Sequence, residues 1–92
     1  MVQPKLFDVV ALLDIVPFEN LKLTDERYDL SSGLAAGTVG TVVEVLPQQT
    51  EPTEVLVEFS DSQGCGYAFA ILPADSLLVL HYAPAEPLIA HQ

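Results

Sequence analysis

Basic side chains are nearly missing from this chain: Lys5, Lys22 and Arg27 stand against thirteen carboxylates, for a net charge of −10. A phosphate backbone is held by several Lys or Arg contacts, and three scattered cations form no such patch. Nucleic acid and anionic membrane surfaces are therefore poor partners, whereas an acidic surface favours solubility and rapid association with a basic protein. Cysteine is equally scarce. The single Cys65 cannot close an intramolecular disulfide, which fits a reducing, cytoplasmic setting. No apolar run approaches the roughly 20 residues of a membrane span; Val9 to Leu13 is only strand-sized. Met1 to Lys5 leads into a strand interrupted by Asp8 rather than into a secretory leader. Tryptophan is absent and only two histidines, His81 and His91, are present. Neither has a Cys or carboxylate at ligand spacing, so no metal site, cofactor or general base is expected.

What remains is apolar and rich in β-branched residues. Half of the 92 residues are hydrophobic and 17% are charged, a composition that folds rather than stays disordered. One domain of this length buries roughly 60–65% of its unfolded surface. Strand patterns recur along it. Phe7 to Asp14 places Phe7, Val9, Ala11 and Leu13 on one side and Asp8, Val10, Leu12 and Asp14 on the other. Thr38 to Leu46 forms a second strand, with Val43 and Val45 inward and Glu44 towards solvent. Glu54 to Ser60 alternates most cleanly, with Val55, Val57 and Phe59 inward. Asp61-Ser62-Gln63-Gly64 reads as a hairpin turn. Cys65 to Ile71 sets Tyr67, Phe69 and Ile71 against the small Ala68 and Ala70. Pro73-Ala74-Asp75-Ser76 predicts one 3-10 turn, and Leu77 to His81 a fifth strand. Phe7, Phe59 and Phe69 have core spacing.

Residues 15–36 keep no period for long. A connection of that length is usually self-packed or functional. Leu21, Leu23, Tyr28, Leu30 and Leu34 can fold back on the core, and Thr24 can cap a helical turn through Arg27. Five strands, a long first loop and a 3-10 turn before the last strand predict an all-β, SH3-like barrel over residues 1–82. Residues 83–92, with Pro84, Pro87, Leu88 and Ile89, form a tail; an OB-like barrel is the alternative.

The blocks "LFDVVALL", "ENL", "GTVGTVVEV", "VLVEFSDSQG" and "YAFAILPADSLLVL" resemble a bacterial, cyanobacteria-rich family of small SH3-like domains of unassigned function. The likeness runs from Leu6 to Leu80, except that Lys22 to Ala36 is longer than the family's first link. The resemblance implies a fold but no catalytic residues. It also suggests two-gene cassettes in which such domains act as antitoxin- or immunity-type partners.

The pair Gly37 and Gly40 carries no phosphate-loop chemistry, because no Lys-Ser/Thr and no helix follow. A KOW-type RNA-binding turn is the nucleic-acid alternative, and it calls for nearby cations where this chain has Glu44. The glycines read instead as a turn with positive φ at Gly37 and a close backbone approach at Gly40. Cys65 has no cationic neighbour to make it a reactive thiol. The carboxylates Glu44, Glu54 and Glu58 can share one hairpin face, with Asp61 at its end. There they are solvated, guard a sheet edge, or meet a basic protein. Phe18 and Tyr28 on the first loop, with Leu30, are candidate peptide-contact residues.

The expected function is a non-enzymatic protein-binding module or complex subunit that neutralises a basic partner. Its candidate contact residues are Phe18, Tyr28, Leu30, Glu44, Glu54 and Glu58. Val10, Leu12, Leu56 and Leu78 read as exposed apolar positions, more than a monomeric barrel needs to hide, which leaves a homodimer open.

Overall fold

The computed structural model describes residues 3–47 and 53–80. Six strands, β1 (Val9–Leu12), β2 (Lys22–Leu23), β3 (Val39–Val45), β4 (Glu54–Ser60), β5 (Gly66–Pro73) and β6 (Leu77–Val79), form one antiparallel sheet in the order β2-β5-β4-β3-β1-β6. The all-β class is as expected, with one strand more than the alternation predicts. The addition is β2, inside the first loop, which pairs Lys22 with Phe69 and Leu23 with Ala68. Two residues are too short to register as a period-2 signal. Strands β2 and β6 are the ends of this order, and among the described residues no ladder joins them, so the sheet is open. The tail, with His81, Tyr82, Leu88, Ile89 and His91, lies outside the described residues.

The core lies on one face of the sheet. Val55, Val57 and Phe59 of β4 are fully buried, as their alternation requires. Three neighbouring strands take the opposite phase to that read from the sequence, or shift it. On β1 Val10 and Leu12, expected to be exposed, are the inward residues and are buried; Ala11 between them is buried as well, while Phe7 is 72% exposed and Leu13 is exposed too. The charges that made the Val10 side look polar do not belong to the strand. Asp14 follows its end, and Asp8 sits in a bulge where Phe7 N–H donates to Val42 O and Asp8 O accepts from Val42 N–H. Phe7 takes φ 69° there, the left-handed conformation that such a bulge demands. The Asp8 carboxylate accepts the Lys5 N–H at 2.8 Å.

On β5 the small residues face in. Ala68, Ala70 and Leu72 are buried, whereas Phe69 is half-buried and Ile71 exposed on the outer face. Register supplies the reason: Phe59 lies opposite Ala68, Val57 opposite Ala70 and Val55 opposite Leu72. Large side chains on β4 fill the space left by alanines on β5, which keeps the interior at native density. On β3 the register slips between Val42 and Glu44. Val42 is buried, Val43 becomes the half-buried extra residue of the bulge, and Val45 is exposed although it stands opposite Val55. Val43 and Val45 are thus not core residues.

The long first loop is self-packed. Val16 and Leu34 exchange backbone hydrogen bonds of 2.9 Å each, both are buried, and Leu21 and Leu30 pack against the core. A 3-10 turn forms at Phe18–Asn20. The helical turn capped by Thr24 does not form. Thr24 N–H donates to Tyr67 O at 2.9 Å, its hydroxyl to Gly66 O at 3.3 Å, and Asp25 to Tyr28 closes as a plain turn. The predicted 3-10 turn before β6 is present at Ala74–Ser76, with Ser76 Oγ donating to Pro73 O.

Candidate protein-docking face

Alternation on β4 that buries Val55, Val57 and Phe59 turns Glu54, Leu56 and Glu58 to the outer face. The ladder then decides their neighbours. Leu56 stands opposite Ile71 on one side and Glu44 on the other. Glu58 stands between Phe69 and Thr41, and Phe69 in turn pairs with Lys22. Directly opposed side chains in an antiparallel pair are about 4.5–5.5 Å apart at Cβ. Glu44, Glu54 and Glu58 therefore surround an apolar strip made by Leu56, Ile71 and Phe69. The bulge at Val43 is what brings Glu44 onto this face; in unbroken alternation with buried Val42 it would face inward. A groove of about 370 Å³ opens beside the strip, lined by Leu21, Lys22, Leu56, Phe69 and Ile71 and bordered by Glu19.

These carboxylates do not guard an edge. Strand β4 is paired along both sides, by β3 and β5, and so has no free hydrogen-bonding groups to protect.

The first-loop candidates lie elsewhere. Tyr28 reaches the β4–β5 turn, where its hydroxyl donates to Asp61 Oδ2 at 2.8 Å and its ring stacks on Tyr67 with centroids 4.8 Å apart. Asp61 Oδ1 accepts the backbone N–H groups of Gln63 and Cys65 at 2.9 and 3.0 Å. The hydrogen bond from Tyr28 and those from the turn amides hold the Asp61 carboxyl below its usual range, and the same Tyr28–Asp61 bond pushes the phenol up. Burial pushes the Tyr67 phenol up as well, with the Asp61 charge adding to it. Next to this pair Arg27 grips Asp25 through Nε and Nη2 at 2.9 and 2.6 Å, which lowers the Asp25 carboxyl to about 2. An open depression of about 390 Å³ lies between Arg27, Tyr28, Asp61 and Gln63. Tyr28 thus spends its hydroxyl and one ring face on tying the first loop to the hairpin. Leu30 packs against the core, and Phe18 is exposed on its 3-10 turn.

Of the six candidate residues, then, the structure brings three together: Glu44, Glu54 and Glu58. The residues that sequence reasoning missed are Leu56, Phe69 and Ile71 as members of the same surface. The signal was present in the size mismatch between Phe59 and the alanines, which only one phase of β5 can relieve. Among the described residues, no three His, Cys, Asp or Glu side chains are placed to hold a metal ion together. No helix among them is long and apolar enough to cross a membrane. Cys65 is exposed as a free thiol.

No curated protein and no solved structure is significantly similar to this chain. A family model matches residues 6–79, from the exposed Leu6 through the last residue of β6, and the chain belongs to that family, described as a domain of unknown function, DUF4926.

Proposed function

We propose that the protein is a non-enzymatic docking module, of SH3-like architecture, whose acidic outer face binds a basic protein. The strand path supports the architecture: β1, β3, β4 and β5 follow one another across the sheet, β6 returns to pair with β1, a long loop follows β1 and a 3-10 turn precedes the last strand. The observation that carries the function is the shared face of Glu44, Glu54 and Glu58 around Leu56 and Ile71. An apolar centre with a polar rim is the usual anatomy of a protein interface, and the three rim carboxylates, which outnumber the one cation, Lys22, beside Phe69, speed encounter with a basic partner. Neutralisation of a toxin-like basic protein is the concrete form of this reading. The net charge of −10 argues against an RNA- or DNA-binding barrel.

The test is titration calorimetry against basic proteins encoded beside this one, using the wild type and a Glu44→Lys, Glu54→Lys, Glu58→Lys variant. Exposed ion pairs contribute about 0.2–1 kcal/mol each, so reversing three charges weakens binding by about tenfold or more. Affinity of the wild type falls as salt rises. A partner that binds the variant as tightly as the wild type overturns the proposal.

A further inference from the structure

Strand β5 has a backbone position that its neighbours leave uncovered. Leu46 N–H donates to Glu54 O at 3.0 Å, so the backbone groups of Glu54 point towards β3 and those of Val55 towards Leu72 on β5. Backbone groups alternate sides along a strand, so Tyr67, Phe69 and Ile71 point away from β4. Thr24 N–H meets Tyr67 O at 2.9 Å and Lys22 pairs with Phe69, as that parity requires. Ile71 comes next, and there the partner chain has already turned away. Asn20 N–H donates to Pro17 O and Leu21 N–H to Phe18 O, which closes the 3-10 turn at Phe18–Asn20 instead of extending β2. Among the described residues no backbone group pairs with the Ile71 N–H or C=O on this side. Beyond it Pro73 has no N–H, and its carbonyl accepts the Ser76 hydroxyl at 2.7 Å.

Two clefts flank this position, one on each face of the sheet. The groove of about 370 Å³ lies on the outer face against Leu56, Phe69 and Ile71. A second cleft, of about 160 Å³, lies where the inward-facing Leu72 meets Ile15, Val16 and Pro17, with Asp14 at its border. Asn20 lines both. An extended chain carries the backbone groups that a free strand edge lacks, and its successive side chains point to opposite faces. Strand addition works in this way: main-chain hydrogen bonds supply affinity, and pockets for alternate side chains supply specificity. A helix uses its own N–H and C=O groups internally and offers none to Ile71.

We propose that an extended segment of the basic partner adds to β5 at Ile71, continuing the antiparallel ladder of β2. The inference rests on the docking of a basic protein proposed above and assigns how that partner is held. The residue opposite Ile71 exchanges two backbone hydrogen bonds with it and turns its side chain to the outer groove. The residues on either side turn theirs to the inner cleft. Apolar side chains fit the walls of both. Glu19 and Lys22 balance one another at the outer groove, so the preference for lysine or arginine comes from Asp14 at the inner cleft and from the carboxylates around Leu56. The recognised chemistry is an extended stretch that mixes apolar and basic residues. With so little free edge, the pairing is a short anchor beside the acidic face.

The probe is a short capped peptide of alternating valine and lysine, with a copy N-methylated at every residue that keeps the side chains and loses the N–H groups. Amide exchange followed by NMR on the full chain reads Ile71 directly. In the free protein the Ile71 amide exchanges without protection, unlike the ladder amide of Val57. Peptide at about ten times its Kd slows Ile71 exchange about tenfold. Ile71→Pro removes only the outward N–H, which a strand edge tolerates, and weakens binding about fivefold or more. Asn20→Trp, which crowds both clefts from an exposed position, does the same should Ile71→Pro not fold. An N-methylated peptide that binds as well as its parent overturns strand addition and leaves docking on the acidic face standing. The same holds if Ile71→Pro and Asn20→Trp bind as tightly as wild type, or if no peptide binds at millimolar concentration. An Ile71 amide already protected in the free chain also overturns it, since residues 81–92 or a second copy then hold the edge. Protection of Ile71 that the Glu44→Lys, Glu54→Lys, Glu58→Lys variant retains at undiminished affinity supports the edge site and counts against the acidic face.

Discussion

Alanine at Gly37 and alanine at Gly40 should both destabilise the fold, for different reasons that a second substitution separates. Gly40 has an ordinary φ, but a Cβ there would lie 2.6 Å from Val57 Cγ1, 2.9 Å from Glu58 O and 3.0 Å from Phe59 Cδ1. Val57 and Phe59 are fully buried and the third atom is backbone, so little can move aside. Overpacking of this kind costs about 1–3 kcal/mol, and the stiffer unfolded chain offsets about 0.4–1 kcal/mol of it. Gly37 is the reverse case. Nothing lies within 4 Å of its Cβ position, but φ is 89°, and a left-handed residue with a side chain costs about 1–2 kcal/mol. Each kcal/mol moves the midpoint of a 60–100-residue domain by roughly 4–8 °C, so thermal melts followed by circular dichroism resolve both. The decisive comparison is asparagine. Asn tolerates left-handed backbone but is larger than Ala, so Gly37→Asn melts above Gly37→Ala, whereas Gly40→Asn melts below Gly40→Ala. The same ranking at both sites would refute the assignment of conformation to one glycine and close approach to the other.

Two phenylalanines with strand spacing should behave differently. Phe59→Ala removes a fully buried ring and costs about 3–5 kcal/mol, much of the stability of a small domain. Phe7→Gly, at 72% exposure and φ 69°, changes stability by no more than about 1 kcal/mol, since relief of left-handed strain opposes the entropy of an added glycine. Urea denaturation measures both, and an equal loss would contradict the observed phase of β1. Tyr28→Phe removes the hydroxyl that donates to Asp61. Because the folded Asp61 carboxyl is held below its usual range, its contribution is complete above the unfolded value of about 3.9 and fades as pH falls through the folded one. The stability gap between wild type and Tyr28→Phe is therefore present at neutral pH and narrows in acid. A gap that widens in acid would contradict the linkage.

Which parts of the fold were legible in the sequence follows from how local each signal is. Glu54 to Ser60 carries strict alternation with charged residues within the strand itself, and its phase is as read. The hairpin at Asp61 to Gly64 and the 3-10 turn after Pro73 rest on single-residue chemistry and are where they were expected. Phase failed where it was inferred from charges at strand ends. Asp8 and Asp14 fall in a bulge and beyond the last residue of β1, so they carry no information about its faces. On β5 hydrophobicity ranks Phe69 and Ile71 above Ala68 and Ala70, yet the volume of Phe59 across the ladder decides the matter. That is tertiary information, outside any window along β5. Of the candidate site, Glu54 and Glu58 are legible from β4 alone, Glu44 reaches the face through the bulge on β3, and the apolar centre is not legible, because the core spacing of Phe69 puts Ile71 on the inner side with it.

The outer face also bears on why the acids are where they are. If they served only to keep sheets from adding end to end, they would sit on β2 or β6, the strands at the ends of the sheet among the described residues. Strand β6 instead carries Leu77, Leu78 and Val79 with no charge at all, and Glu54 and Glu58 stand on β4, paired along both sides. Solubility does not select that strand either, since an exposed carboxylate solubilises equally well from a loop. Placement on β4 does one thing that loop placement cannot: it holds the carboxylates at fixed spacing around Leu56 on a rigid ladder. Fixed backbone spacing matters for complementarity with another surface, because no strand has to be ordered on binding. Placement on β4 is thus what the proposed docking to a basic protein requires, and neither edge protection nor solubility calls for it.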